Sequence, residues 1–212
     1  KALAASIGIG VAKHLLIKPL LPESLDLNLP GCWILKPRNG VMSEHVTFID
    51  SKDGWRSALN AATHPRHDGR EFMAEEFVPG LNLTVPVIEG FPPQSFDVFV
   101  ERGESSHNIL TEAGKEGHSV DYASEPYYGP GASEASAAAA QMAAAISPFD
   151  YARFDFRFDP ERKRLVFLEI NMNCAMGPGA VVTRSAALRE IDHESLVGHV
   201  FTHSLRRQMM TP

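Results

Sequence analysis

Two carboxylates are set against each other in the stretch YARFDFRFDPERKRLVFLEINMN, whose two alternating runs around a polar turn predict a β-hairpin. A hairpin symmetric about Arg162 places Asp155 opposite Glu169, and the same register places Arg153 opposite Asn171. Carboxylates directly opposed on an antiparallel ladder repel each other, and a hard dication would turn that repulsion into attraction. Two carboxylates and an amide oxygen, without His or Cys alongside, favour Mg²⁺ or Mn²⁺ as the metal held by Asp155, Glu169 and Asn171.

The other face of this hairpin is apolar, which fixes its register and keeps the two acids opposed. The apolar residues expected to share that face are Phe154, Phe156 and Phe158 on the first run and Val166, Leu168 and Ile170 on the second. A ribbon whose polar face is merely solvated is the alternative interpretation, since hydrated surfaces tolerate charged pairs at small cost. The neighbouring amide, the fixed register and the Gly/Pro loop that follows favour a metal site. Mg²⁺ bound by so few protein groups usually shares phosphate oxygens, which predicts a nucleotide.

Two earlier stretches could contact such a nucleotide. In WILKPRNGVMSEH, Lys36 ends a buried strand and precedes a loop with Gly40 and the hydroxyl of Ser43, which is typical of a phosphate-covering loop. A lysine simply reaching the surface is the alternative, and neither G-x-x-x-x-G-K-[ST] nor G-x-G-x-x-G occurs in the chain. In FMAEEFVPG, Glu75 and Glu76 either just end a strand or offer a carboxylate and backbone groups to an adenine.

Composition bounds the remaining possibilities. The 212 residues suffice for one large domain or two small ones, and the net charge of −6 with dispersed Lys and Arg argues against a nucleic-acid partner. Only two cysteines occur, Cys32 and Cys174, so no disulfide framework is expected and a reducing, cytoplasmic setting is the default. The apolar opening is interrupted by Lys13, His14 and Lys18, so we expect neither a membrane span nor a signal peptide there.

The elements that must position these residues alternate between strands and helices, which predicts an α+β fold. Helices are expected early in residues 1–17, from about Asp53 to near His64, after Ser133 as N-cap, and over His193–Gln208. Strands are expected over Cys32–Leu35, Glu44–Asp50, 71–80, 81–90, 94–103 and in the hairpin, with a long loop over 103–133.

In this order the pieces resemble the ATP-grasp superfamily, and most closely its D-alanine–D-alanine ligase branch. The matching segments are ILKPRNGVMSE, FMAEEFVPGLNLTV, ARFDFRF, FLEIN and ESLVGHVFTHSL. The resemblance implies an ATP-grasp fold in which ATP is held between two α+β subdomains, here residues 1–79 and 80–212. The domain that precedes them in these ligases, and binds the first substrate, is expected to be absent from this chain.

The resemblance also implies roles for the nucleotide contacts. Lys36 looks like the lysine that contacts the α- and β-phosphates, with Ser43 in the phosphate loop. Glu75 looks like the adenine-side carboxylate, and Glu76 and Phe77 like the residues that give backbone contacts. Lys115, in TEAGKEG, is similar in place to the second phosphate lysine of the family.

At the hairpin, the resemblance gives Arg153 the role of stabilising the transferring phosphate and the charged intermediate. Asp155, Glu169 and Asn171 look like the ligands of two Mg²⁺ ions. Lys1 looks like a further nucleotide lysine.

The implied reaction is ATP-dependent ligation of a small carboxylate, such as an amino acid, to an amine. The carboxylate attacks the γ-phosphate to give an acyl phosphate, and the amine then displaces phosphate to form an amide. Catalysis is expected to depend mainly on fixed positive charge, because two anions, the carboxylate and the ATP phosphates, must be brought together. A homodimer is a further expectation.

Three departures from the family pattern keep two alternatives open. Asn82 stands where the family usually has a ribose-binding Glu, the phosphate loop carries an acid at Glu44, and NMNCAMGPGA replaces the N-T-x-P-G-M-T loop that helps to hold the second amino acid. The alternatives are a non-catalytic nucleotide-binding module and a phosphoryl-transfer enzyme of the kinase type. Cys174 is interpreted as a pocket wall and not as a nucleophile, since no basic partner is evident.

Overall fold

The fold is that of a computed structural model, which describes residues 1–17, 29–39, 45–62, 70–91, 97–102, 107–109 and 124–209. The chain forms two compact units. The first comprises Lys1–Val11, Pro79–Arg102 and His118–Pro212, and the second comprises Ala12–Val78 and Gly103–Gly117. The division into ATP-grasp subdomains at residues 79 and 80 stays a prediction.

As far as its residues are described, the second unit consists of an antiparallel sheet and one helix. Its elements are β1 (His14–Ile17), β2 (Trp33–Pro37), β3 (Thr47–Ile49), α2 (Lys52–Ala62) and β4 (Phe72–Glu76). The strand order is β1-β4-β2-β3. Trp55, Ala58 and Ala62 recur on one side of α2 and are buried, as expected for an amphipathic helix. The Trp55 ring packs against Trp33 of the sheet, with 6.0 Å between the ring centroids.

The first unit carries a five-stranded antiparallel sheet of order β7-β6-β5-β8-β9. Its elements are α1 (Ala2–Ser6), β5 (Leu81–Ile88), β6 (Phe99–Glu101), β7 (Glu125–Pro126), α3 (Ala132–Ile146), β8 (Tyr151–Asp159), β9 (Arg164–Asn171), α4 (Val181–Ala187) and α5 (His193–Met209). The alanine-rich α3 packs with the phenylalanines of β8 in one buried cluster. Mixed helices and antiparallel sheets confirm the predicted α+β class.

Three local predictions were wrong. β7 lies inside the segment predicted as a loop, and α4 was not predicted at all. The N-cap of α3 is Gly131 and not Ser133, which lies inside the helix. Gly131 has φ +88°, and a Cβ there would lie 2.5 Å from Cγ of Phe158, so the chain enters α3 through a position that only glycine fits without strain.

The hairpin has the predicted register at its functional end and a β-bulge beyond it. Asp155 pairs with Glu169 and Arg153 with Asn171, as predicted. The register then shifts, and Phe156 pairs with Phe167, so Leu168 is the extra residue.

The bulge reverses which side chains of β9 face the core. Ile170 pairs with Phe154, whereas Val166 pairs with Arg157 on the opposite face. The prediction that Val166, Leu168 and Ile170 share one face was therefore wrong, because strict alternation ends at an inserted residue.

Within the described residues, no helix combines the length and apolar character needed to cross a membrane.

Candidate active site

Polar side chains line up across three strands on one face of the five-stranded sheet. Thr84 of β5 pairs with Asp155 of β8, which pairs with Glu169 of β9, so the three form one rung. The hydroxyl of Thr84, almost wholly buried, donates a hydrogen bond of 2.6 Å to Oδ1 of Asp155. Thr84 was not predicted as a site residue. The only sequence signal was its polar type within an apolar strand, and its pairing with β8 could not be read from the sequence.

Arg153 compensates the charge of Asp155 directly. The two residues lie two positions apart on one strand, and hence on the same face. Nε and Nη2 of Arg153 donate to the two carboxylate oxygens at 2.9 and 2.8 Å. The attraction of Asp155 raises the pKa of Arg153 above its ordinary value, although burial acts in the opposite direction. This guanidinium is therefore a permanent cation beside the two opposed acids.

Asn171 completes the set of oxygen and nitrogen groups around the acids. Its Nδ2 donates to Oδ2 of Asp155 at 2.8 Å and more weakly to Oε1 of Glu169 at 3.5 Å. A half-turn of the amide would present Oδ1 along the same line. The Glu169 side chain is exposed to solvent.

These groups fit a hard dication. The described residues contain no group of three or more His, Cys, Asp or Glu arranged as metal ligands, so a third ligand taken from them would be another oxygen donor, such as the amide of Asn171. Two carboxylates and an amide oxygen make the donor set that Mg²⁺ or Mn²⁺ takes, with the remaining positions left to water and phosphate. Asp155, Glu169 and Asn171 would hold it.

A second arginine lies on the other side of the acids. Arg157 is only 5% exposed, pairs with Asn82 across β5 and β8, and donates from Nη1 to Oδ1 of Asn82 at 2.7 Å. Burial lowers the pKa of Arg157 to about 10. Asn82 in turn donates from Nδ2 to the carbonyl of Glu101 at 3.3 Å. Both ends of the Asn82 amide are thus held within the protein, and its contact with a sugar stays a prediction.

The second unit brings Lys36 and Glu75 together. Nζ of Lys36 lies 3.0 Å from Oε2 of Glu75, whose side chain is almost wholly buried. The backbone N–H of Glu76 donates to the carbonyl of Lys13 at 2.8 Å, and that of Phe77 donates to the carbonyl of Cys32 at 2.9 Å. These N–H groups are therefore used inside the sheet. The roles of all four residues toward a nucleotide stay predictions.

Three candidates remain, and two of them, Lys1 and Lys115, were assigned from the resemblance alone. Ser43 and Lys115 lie outside the described residues. Lys1 belongs to the first unit, where its Nζ donates to the carbonyls of Leu168 at 2.9 Å and Phe167 at 3.4 Å. Lys1 thus contacts the backbone at the bulge of the hairpin.

Cys174 lies just after the hairpin and is half-buried. Desolvation raises the pKa of its thiol to about 11, although the nearby Arg153 acts in the opposite direction. The thiolate is scarce near neutral pH at such a pKa, so the interpretation of Cys174 as a wall residue agrees with its environment.

Comparison with known proteins gives one consistent result. No protein-family model matches the chain. A D-alanine–D-alanine ligase from Acidiphilium cryptum is 31% identical over 199 residues, which cover 92% of this chain and 62% of that protein. One from Xanthobacter autotrophicus is 27% identical and covers 93% of this chain and 64% of that protein. The chain thus spans under two thirds of the length of these curated relatives.

Solved structures give the same fold. D-alanine–D-alanine ligase from Bacillus anthracis, in complex with ATP, superposes with a TM-score of 0.77 at 18% identity and covers 100% of this chain and 66% of its own. The D-Ala:D-Ser ligase VanG from Enterococcus faecalis gives a TM-score of 0.74 at 19% identity, covering 95% and 59%. The resemblance read from the sequence is therefore confirmed: this chain has the ATP-grasp fold and is similar in sequence to D-alanine–D-alanine ligases.

Proposed function

We propose that the protein is an ATP-dependent carboxylate–amine ligase that forms a peptide-like amide through an acyl phosphate. The observation that carries this proposal is the Asp155–Glu169 pair, with Arg153 and Asn171 beside it, in a chain similar to D-alanine–D-alanine ligases. Opposed acids with a neighbouring fixed cation suit a magnesium nucleotide and an anionic substrate better than a solvated surface. D-alanine, named in the curated relatives, is the first substrate to test for both positions.

The chain's own residues supply positioning and charge. Mg²⁺, held by Asp155, Glu169 and Asn171, would lower the charge of the ATP phosphates. Once a dication shares the charge of Asp155, the Arg153 guanidinium is free to turn toward the transferring phosphoryl group and the substrate carboxylate. Thr84 keeps Asp155 in place through its 2.6 Å hydrogen bond. No protein nucleophile takes part, since the substrate carboxylate attacks the γ-phosphate and the amine attacks the resulting acyl phosphate.

The nucleotide contacts of the second unit belong to the same proposal. Lys36 would exchange its 3.0 Å ion pair with Glu75 for phosphate oxygens. Glu75 would then accept a hydrogen bond from the adenine amino group. Lys36 would then be paired with phosphate and the buried Glu75 carboxylate would keep a hydrogen-bond donor, so neither group would be left without a partner.

Product analysis tests the proposal. The intact protein is incubated with ATP, Mg²⁺ and a panel of D- and L-amino acids, and products are identified by mass spectrometry together with released phosphate. A ligase yields an amide, ADP and one phosphate per amide. A stable phosphoester would instead indicate a kinase. ATP binding without turnover across the whole panel would indicate a non-catalytic module, and either result contradicts ligation.

We also propose a cytoplasmic setting, where ATP and small amino acids are available.

We propose further that the protein forms a homodimer. Four large apolar side chains of α5, Val197, Phe201, Leu205 and Met209, recur every four residues and are exposed, with Phe201 at 64%. Exposed acidic Glu194 lies near one end of this stripe and exposed Arg206 near the other. Antiparallel packing of two copies would therefore bring opposite charges together. Sedimentation should show a dimer that Phe201→Asp weakens, and a monomer at every concentration would contradict this.

A further inference from the structure

A third arginine lies on the face of the five-stranded sheet that carries the opposed acids. Phe99 of β6 pairs with Thr84, and Thr84 pairs with Asp155, so Phe99 extends the same rung. Arg184 projects from α4, and its guanidinium carbon lies 5.5 Å from the centre of the Phe99 ring. Because neighbouring strands are about 4.8 Å apart, this cation lies over a strand about 10 Å from the strand of Asp155.

Arg184 is held in place by neutral groups. Its Nη1 donates to the carbonyl of Ser124 and to Oγ of Ser124, the latter at 2.8 Å. Ser124 is itself buried, and the Phe99 ring supplies a cation–π contact. The guanidinium is thus pre-positioned by groups that carry no negative charge.

Arg184 has no carboxylate partner among the residues that the structure describes. Arg189, five residues further along, pairs with Asp97, and Arg153 pairs with Asp155. The hydrogen bonds of the Arg184 side chain to described residues use Nη1 alone, which leaves the edge formed by Nε and Nη2 for a ligand. That edge matches the two oxygens of a carboxylate.

We propose that Arg184 is the residue of this chain that binds the carboxylate of the acceptor amino acid and thereby selects against simple amines. This inference rests on the proposed ligase function. The acyl phosphate would lie beside Arg153 and the metal. The acceptor amino acid would lie along the rung, with its amine at the acyl phosphate and its carboxylate at Arg184. Arg184 would therefore decide which amines are accepted, while phosphoryl transfer would not depend on it.

A competition experiment tests this role. The intact protein is given ATP, Mg²⁺ and equal concentrations of D-alanine and D-alaninamide. Only D-alanine can be phosphorylated, because the amide has no carboxylate, whereas both compounds can act as the amine. Mass spectrometry then gives the ratio of the free-acid dipeptide to the dipeptide amide, and this ratio is independent of the fraction of active protein.

Wild-type protein should favour the free acid, and Arg184→Ala should lower the product ratio about 10- to 100-fold, the worth of a charge-assisted hydrogen-bonded pair. Arg184→Lys keeps the charge without the fork and should fall between the two. Arg56→Ala, which removes an exposed arginine from α2, is the matched control and should leave the ratio unchanged.

An unchanged ratio in Arg184→Ala, or a raised KM for ATP with no change in the ratio, would overturn the inference. If wild-type protein forms neither product, the proposed ligase function fails with these substrates, and binding then decides about Arg184. In calorimetry with ADP and Mg²⁺, weaker binding of D-alanine, but not of D-alaninamide, by Arg184→Ala supports the inference. Equal D-alanine binding by both proteins refutes it.

Discussion

At the scale of single residues, the opposed acids of the hairpin are stabilised before any ligand binds. Asp155 accepts hydrogen bonds from Thr84, Arg153 and Asn171, so its charge is balanced by one cation and two neutral donors. Glu169 is exposed and can be screened by water. A dication at this site would thus compete with Arg153 for Asp155, and releasing Arg153 couples metal binding to the group that would contact the substrate.

The carboxylate of Asp159 gives a residue-scale prediction on stability. Asp159 is buried, and its Oδ1 accepts the N–H groups of Glu161 and Arg162 at 2.9 and 3.1 Å. Burial by itself raises the pKa of Asp159, but the hydrogen bonds from Arg162 and Glu161 outweigh it and leave the pKa below its ordinary value. Since the folded pKa is depressed, the ionised carboxylate stabilises the fold above the unfolded pKa of about 3.9. That stability is lost as the pH falls through the folded pKa.

Asp159→Asn should therefore lower the free energy of unfolding by about 1 kcal/mol at pH 7, and the difference from wild type should shrink as the pH falls below 4. Urea denaturation over a pH series measures it. Glu161→Gln, which removes an exposed acid from the same turn, should change stability by less than about 0.5 kcal/mol throughout. A loss for Asp159→Asn that stays constant down to pH 3 would show that the charge of Asp159 is not the source.

At the scale of elements, the bulge in β9 and the glycine that precedes α3 allow phenylalanines of the five-stranded sheet to pack in the core. Phe167 reaches the core only because Leu168 is inserted, and its N–H donates to the carbonyl of Gly10 at 2.8 Å. Further along β8, the ring of Phe158 packs closely against Gly131. The polar rung of Asp155 is thus held in register by packing on the opposite face of the same strands.

Gly131→Ala should destabilise the protein by about 3 kcal/mol, because alanine at φ +88° is strained and its Cβ would contact the Phe158 ring. Gly177→Ala is the matched control, since a Cβ there meets nothing within 4 Å, and it should change stability by less than about 0.5 kcal/mol. Thermal or urea unfolding measures both. Equal effects of the two substitutions would show that the contact with Phe158 does not limit this position.

The sequence predicted elements better than it predicted how distant elements meet. The hairpin pairs Asp155–Glu169 and Arg153–Asn171 follow from local alternation, and they are confirmed. Leu168 could not be identified as a bulge residue, because its type also fits regular alternation. Thr84 could not be assigned to the site either, because its pairing with a strand some 70 residues later is a property of the sheet.

At the scale of the whole molecule, each of the two units has its own buried core and its own group of proposed ligand contacts. The proposed site residues of the first unit are Asp155, Glu169, Asn171, Arg153, Arg157 and Arg184, and those of the second are Lys36, Glu75, Glu76 and Phe77. The chain is acidic overall, yet arginine is concentrated around the opposed acids. Local charge, more than net charge, therefore indicates the class of ligand.

Magnesium-dependent ATP binding tests the central claim most directly. Calorimetric titration of the intact protein with ATP should show affinity at least about tenfold higher with Mg²⁺ than with EDTA, since the opposed acids bind the metal that bridges the phosphates. Glu169→Gln should lose most of that gain, whereas Glu161→Gln, which makes the same charge change at the tip of the same hairpin, should keep it. ATP affinity that is independent of Mg²⁺, or a full magnesium effect in Glu169→Gln, would contradict the assignment of the hairpin as the metal–nucleotide site.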